Sequence, residues 1–186
     1  MKPFRCLTLL VLLLAGGTVS LAAGKSKMLI DFLDMPRNSD GTRQRAFEYA
    51  FGDWDRPDVV QIPSQGLLIR NVGSKGGVGA NNDPDFRKFT HVRVALVISD
   101  RNQADSFNFS LEDADGTSQS FEISLKDLPR NKPLSVLLDL AKPSWEEKPG
   151  RKPGLNLKDI KTWQVKGNWR DLPIEVLVLN LTAVDE

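Results

Sequence analysis

The stretch "SFNFSLEDADGTSQSFEISLK", Ser106 to Lys126, decides the fold. Phe107, Phe109 and Leu111 alternate with Ser106, Asn108 and Ser110. Beyond it, Phe121, Ile123 and Leu125 alternate with Glu122, Ser124 and Lys126. A period of two is the mark of a strand with one buried face. Between the two runs lies Asp-Ala-Asp-Gly, and it invites a calcium-loop reading. With Gly116 as the sixth residue of such a loop, Asp113, Asp115 and Glu122 fall on ligand positions. The first position would be Leu111, which has no side-chain oxygen, and the flanks would have to be helices. Both conditions fail, so the segment reads as a hairpin. Opposed residues of an antiparallel pair share a face, and the apolar positions are odd-numbered on both arms. A two-residue Asp115-Gly116 turn would oppose odd to even. A three-residue loop, Ala114 to Gly116 with Gly116 left-handed, keeps the faces matched.

Alternation extends through much of the chain. "HVRVALVIS" places Val92, Val94, Leu96 and Ile98 on one face, with His91 and Arg93 on the other. "LSVLLDL" does the same with Leu134, Val136, Leu138 and Leu140. Further strands are expected at Met28–Leu33, Gly66–Val72, Thr162–Lys166 and Ile174–Ala183. The last is apolar on both faces at Val176–Leu179, as in a central, covered strand. "RAFEYAF" fits a strand through Phe47, Tyr49 and Phe51, or a short helix through Phe47, Phe51 and Trp54; its aromatic content favours the strand. Long connections are expected from Met35 to about Arg43 and across "AKPSWEEKPGRKPGLN", whose prolines deny donors to a central strand. "GSKGGVGANNDPD" reads as a glycine-rich loop. The fold class is therefore all-β, a two-sheet antiparallel sandwich.

The first residues carry an address. Lys2 and Arg5 precede an apolar run from Leu7 to Ala15, and small residues follow at Ser20, Ala22 and Ala23. Residues 1–23 read as a cleaved signal peptide, because the run is too short to span a bilayer. Residues 24–186 read as one domain in a secreted, periplasmic or otherwise extracytoplasmic protein, with no membrane insertion after cleavage. Cys6, the only cysteine, lies in the signal, so disulfides and thiolate chemistry are excluded from the domain. Removing Lys2 and Arg5 from 25 basic residues leaves 23 against 24 carboxylates. A balanced chain without a basic block is not a nucleic-acid partner.

Catalytic groups are sparse. His91 is the sole histidine and Tyr49 the sole tyrosine, and neither a Gly-x-Ser-x-Gly elbow nor His-Glu-x-x-His is present. A polysaccharide lyase built on Tyr49, His91 and an arginine is the enzymatic alternative; the reading favoured is a protein that is not an enzyme. "NFS" at Asn108 and "NLT" at Asn180 match the glycosylation sequon, yet both fall in expected strands. Trp54, Trp145 and Trp169 sit in polar, turn-rich surroundings, whereas Trp163 alternates with Val165 and belongs to the core. An indole face can stack on the C–H face of a sugar ring. The polar sheet positions His91, Arg93, Asn108, Glu122 and Ser124 offer a second surface for a polar ligand.

Taken together, "MLIDFLD", "GGVG", "FTHVRVALVIS", "FNFSLEDADGTSQSFEISL" and "LKDIKTWQVKGNW" resemble the jelly-roll carbohydrate-binding modules of the galactose-binding-domain-like type. The resemblance implies a sandwich that binds sugar on one face or at its loops. It also implies a structural calcium ion near the chain ends, for which Asp31, Asp34 and Asp185 are the available carboxylates. The expected function is a secreted, non-catalytic binding module for a polysaccharide or glycan. Trp54 and Trp169 would stack on rings, and Asp55 and Arg93 would bond hydroxyls. The alternative is a protein-interaction or structural module of the cell envelope, with another envelope protein as partner.

Overall fold

A computed structural model describes residues 25–34, 46–52, 59–70, 75–169 and 172–185. The expected signal peptide, residues 1–23, lies outside them. Within them the chain forms β1 (Ser26–Asp31), β2 (Tyr49–Gly52), β3 (Val59–Ile62), β4 (Gly66–Arg70), β5 (Lys75–Ala80) and β6 (His91–Ile98). There follow β7 (Ser106–Asp113), β8 (Ser118–Ser124), β9 (Pro133–Asp139), β10 (Trp145–Lys148), β11 (Ile160–Asn168) and β12 (Glu175–Val184). No helix occurs among the described residues.

Two six-stranded antiparallel sheets result. The first runs β3-β4-β12-β6-β9, with β1 also on β12, and the second runs β10-β8-β7-β11-β5-β2. The sandwich expected from the alternation is what the chain adopts. Val92, Val94, Leu96 and Ile98 of the first sheet are fully buried, as are Phe107, Phe109 and Ile123 of the second. Trp163 is core, edge-on to Phe32 with ring centroids 6.2 Å apart. Burying each such ring contributes on the order of 2–3 kcal/mol, which is why the odd-numbered face goes inward without exception in this hairpin.

The hairpin has the register its sequence requires. Phe109 lies opposite Phe121 and Glu112 opposite Ser118. The Asp113 amide donates to the Thr117 carbonyl at 3.0 Å, enclosing a loop of Ala114, Asp115 and Gly116, with Gly116 at φ +91°. The two carboxylates that imitate a calcium loop are engaged with backbone. Asp113 Oδ1 accepts from the amides of Asp115 (3.1 Å) and Thr117 (3.0 Å), and its Oδ2 accepts from Asn156 at 2.8 Å. Asp115 Oδ2 accepts from the Lys152 amide at 3.0 Å. The turn thereby holds the proline-rich connection against the sandwich. A branched side chain at Gly116 meets only the Lys148 Nζ, at an ordinary contact of 3.6 Å, but needs a backbone angle it rarely adopts. Gly116→Val is expected to cost about 1–3 kcal/mol and to lower the melting temperature by several degrees. An unchanged melt would exclude the left-handed turn.

Three strands depart from expectation. Lys75–Ala80, read as a glycine-rich loop, is a strand between β11 and β2. Its hydrophobic signal is faint because alternate side chains are missing, not because the segment is irregular. Trp145–Lys148, within the proline-rich connection, is an edge strand on β8. Its prolines flank it at 143 and 149, consistent with an edge. Val59–Ile62 pairs with β4. The ambiguous aromatic segment is a strand only at Tyr49–Gly52. Although β12 is central, its outward Leu177 and Leu179 are half-buried, so that face is not fully covered as the doubly apolar run suggests.

Candidate functional site

The outward face of the second sheet can be built strand by strand from its registers. Val78, Val165, Phe109 and Phe121 point inward, so their neighbours point out. One transverse row reads Tyr49, Gly79, Gln164, Ser110, Ser120 and Trp145, each opposite the next. A second row reads Phe51, Gly77, Lys166, Asn108 and Glu122. Six strands at about 4.8 Å spacing place Trp145 roughly 24 Å from Tyr49. Aromatic groups thus stand at both ends of a polar strip.

Glycine explains how the aromatic end is made. A Cβ on Gly77 would come 2.5 Å from the Phe51 ring and 2.6 Å from Lys166 Cβ. On Gly79 it would come 2.8 Å from the Tyr49 hydroxyl. The bare strand lets both rings of β2 lie across β5 toward β11. Tyr49 and Phe51 are themselves neighbours, with centroids 6.2 Å apart and planes tilted by 39°. The Tyr49 hydroxyl accepts from Gln164 Nε2 at 3.2 Å. Gln164 Oε1 in turn accepts from Lys166 Nζ at 3.0 Å.

Glu147 closes the middle of the strip. A register shift in β10 between Glu146 and Lys148 lets its carboxylate reach over β8 and β7. It accepts from Ser118 Oγ at 3.1 Å, from Ser110 Oγ at 3.3 Å, from Ser120 Oγ, and from Lys166 Nζ. Its side chain is 22% exposed. Burial pushes the Glu147 carboxyl up, but the hydrogen bonds from Lys166 and Ser120 outweigh it and hold the group below its usual value. A depressed folded pKa means stability that is complete above the unfolded value of 4.5 and lost as pH falls through the folded one. The gap in melting temperature between the parent and Glu147→Gln is therefore expected to be constant near neutrality and to shrink below about pH 4.5. A gap that widens on acidification would contradict this network.

Beside the closed part, a groove of about 410 Å³ opens along Phe51, Lys75, Asn108, Lys166, Gly167 and Asn168. Asn108 Oδ1 is buried there without a hydrogen-bond donor among the described residues. Such an oxygen costs about 1–3 kcal/mol while unsatisfied.

The residues expected from the sequence fall elsewhere. Trp54 and Asp55 lie outside the described residues. Trp169 is 3% exposed, and its indole N–H donates to the Ser106 carbonyl at 2.6 Å. It lies against Gly167 and plugs the end of the sandwich, so no ring face is offered and its assignment as a stacking residue is corrected. Arg93 is half-buried on the outward face of the first sheet, opposite Thr182 and Leu137. That puts Arg93 and His91 on one outer surface and Asn108, Glu122 and Ser124 on the other, so the single polar surface is really two. His91 and Tyr49 are likewise on opposite sheets, and the triad of the lyase alternative is not assembled.

The expected calcium carboxylates do not converge either. Asp31 lies opposite Asn180 at one end of the β1–β12 ladder, while the Asp185 amide bonds the Lys25 carbonyl at the other. Six residues of strand separate them, roughly 20 Å. Asp31 Oδ1 accepts from the Leu33 amide, and Asp34 is exposed. Ligands of one calcium ion must all lie about 2.3–2.6 Å from it, so this set is not its site. No group of three or more potential ligands is gathered among the described residues.

Sequence reasoning passed over Tyr49 and Phe51 as ligand-stacking groups, and chose Trp169 over Trp145, which is 43% exposed on this face. The signal was available in parity. Trp163 and Val165 are core, and the same odd numbering carries through Gly167 to Trp169.

No family model matches the chain, and no curated protein matches it by sequence. Solved structures do. The family 11 carbohydrate-binding module from Clostridium thermocellum, in complex with a β-1,3-1,4-mixed-linked tetrasaccharide, is similar with TM-score 0.59 at 14% identity, over 88% of this chain and 97% of that one. The same module of a cellulosomal cellulase of that organism gives TM-score 0.58 at 14% identity, over 89% and 97%. An agarase is similar with TM-score 0.55 at 12% identity, over 84% of this chain but only 26% of the enzyme. At such identities the likeness speaks for the fold. It is the jelly-roll sandwich of galactose-binding-like type that the strand pattern resembles.

Proposed function

We propose that this chain is a non-catalytic carbohydrate-binding module, exported from the cytoplasm, that takes a polysaccharide chain across the outward face of its second sheet. One observation carries the reading. Tyr49, Phe51 and Trp145 share that face with the Asn108 and Gln164 amides and the Glu147–Lys166 pair, which covers the buried Ser110 and Ser120 hydroxyls, and Gly77 and Gly79 clear the strand beneath two of the rings. Rings stacked on sugar C–H faces remove apolar surface from water, while Asn108, Gln164 and Lys166 are placed to exchange hydrogen bonds with hydroxyls. The similar module from Clostridium thermocellum, in complex with a β-1,3-1,4-mixed-linked tetrasaccharide, supports a β-linked glycan as the first ligand to try.

Among the described residues, the face offers no free carboxylate at its centre. The carboxylate it carries at its centre, Glu147, is committed to three serines and a lysine. Calorimetric titration with mixed-linked β-glucan, cello-oligosaccharides and agaro-oligosaccharides tests the function. Saturable binding to at least one, without release of reducing ends, is expected. Silence across all of them, with a cooperative melt showing folded protein, would remove the proposal.

A further inference from the structure

The charges of the Phe51 groove are one-sided. Among the described residues along it, the two ionisable groups, Lys75 and Lys166, are cationic, and no carboxylate lines it. Lys166 is neutralised by Glu147. Lys75 is exposed and makes no ion pair among the described residues. It stands opposite Asn168, and β5 places it one step along the strand pattern from Gly77, beneath the Phe51 ring. The other acidic residue in the adjoining row, Glu122, is on β8, three strands from β5. Three spacings are roughly 14 Å, beyond the screening length of about 8 Å at physiological salt. Among the described residues the groove therefore holds one ammonium that no carboxylate nearby offsets, next to an aromatic ring suited to a sugar face.

We infer that this groove is a subsite for a sugar ring bearing an anionic substituent, which Lys75 recognises while Phe51 stacks on the ring. The inference rests on the carbohydrate-binding reading and narrows it, because it sets a preference for charged over neutral glycan at one position. Lysine acts on an anion as a point charge, so carboxylate and sulfate share this chemistry and the geometry does not demand a planar bidentate partner. An exposed ammonium–anion pair is modest, which sets the expected preference at about fivefold at low salt.

The test uses the full chain and three ligands: a mixed-linked β-glucan tetrasaccharide, its C6-carboxylate form and its C6-sulfate form. Each is titrated by calorimetry at low and high salt against the parent and Lys75→Gln. Tighter binding of at least one charged form is expected at low salt, with the preference fading at high salt. In Lys75→Gln that preference is expected to vanish while the affinity for the neutral ligand stays. The arm that shows the preference identifies the anion. Equal affinity of the parent for all three ligands at low salt overturns the inference, as does a preference that Lys75→Gln leaves intact. Either result leaves the carbohydrate reading standing. Failure of all three ligands to bind overturns the inference, and the carbohydrate reading is then decided by the cello- and agaro-oligosaccharide titrations.

Discussion

Phe51→Ala is expected to weaken binding of a β-linked oligosaccharide by about thirtyfold while leaving the melting temperature within a few degrees of the parent. The ring is half-buried and lies over Gly77 at the mouth of the groove, so its outer face is available to a ligand. Central aromatic anchors in binding sites are worth on the order of 2 kcal/mol, which converts to the stated factor. Its contribution to the fold is smaller, because a half-exposed side chain on an outer sheet face leaves no cavity when truncated. Titration calorimetry beside a thermal melt separates the two effects. Equal affinity in parent and variant would mean that the sugar lies elsewhere on the molecule. Gly77→Val provides the complementary approach, since a side chain there collides with the same ring and with Lys166.

Asp113→Ala is expected to be the most damaging polar substitution in the fold, at about 2–4 kcal/mol. Asp113 is almost fully buried and accepts three backbone amides, those of Asp115, Thr117 and Asn156. Hydrogen bonds to a charged acceptor are worth more than neutral ones, and Thr117 is itself buried, so its amide would lose a partner without gaining water. The loss should appear as a lower melting temperature, and as early proteolysis or hydrogen exchange around Asn156, which the carboxylate fastens to the turn. A melt within a degree of the parent would show that these bonds do not hold the segment.

The turn illustrates what was legible from residues alone. Parity of the apolar positions fixed the hairpin register, its loop length and the left-handed glycine, because slipping by one residue would turn every phenylalanine toward water. The same parity carried the sandwich. What stayed hidden is hidden for physical reasons. The strand at Lys75–Ala80 has glycine on its outer face, so its pattern is written in the side chains that cross it, Tyr49, Phe51, Gln164 and Lys166, and these come from strands distant in sequence. The edge strand Trp145–Lys148 buries no apolar side chain and so has no hydrophobic period to read.

The candidate site was only partly legible. A tryptophan in a polar context looks the same whether it plugs an end, as Trp169 does, or stands on a face, as Trp145 does. Only the pairing of Trp145 with Ser120 assigns the latter to the strip. Separating Arg93 from Asn108 likewise required sheet order, since alternation says which residues share a strand face and not which strands share a sheet.

The central claim is that sugar lies across the second sheet. Backbone and side-chain amide NMR shifts, followed as the mixed-linked tetrasaccharide is added to the ¹⁵N-labelled chain, test it without any substitution. Shifts concentrated at Tyr49, Phe51, Asn108, Gln164 and Lys166, with His91 and Arg93 silent, are the predicted result. Saturable shifts centred on His91, Arg93 and Thr182 instead would place the ligand on the first sheet and contradict it.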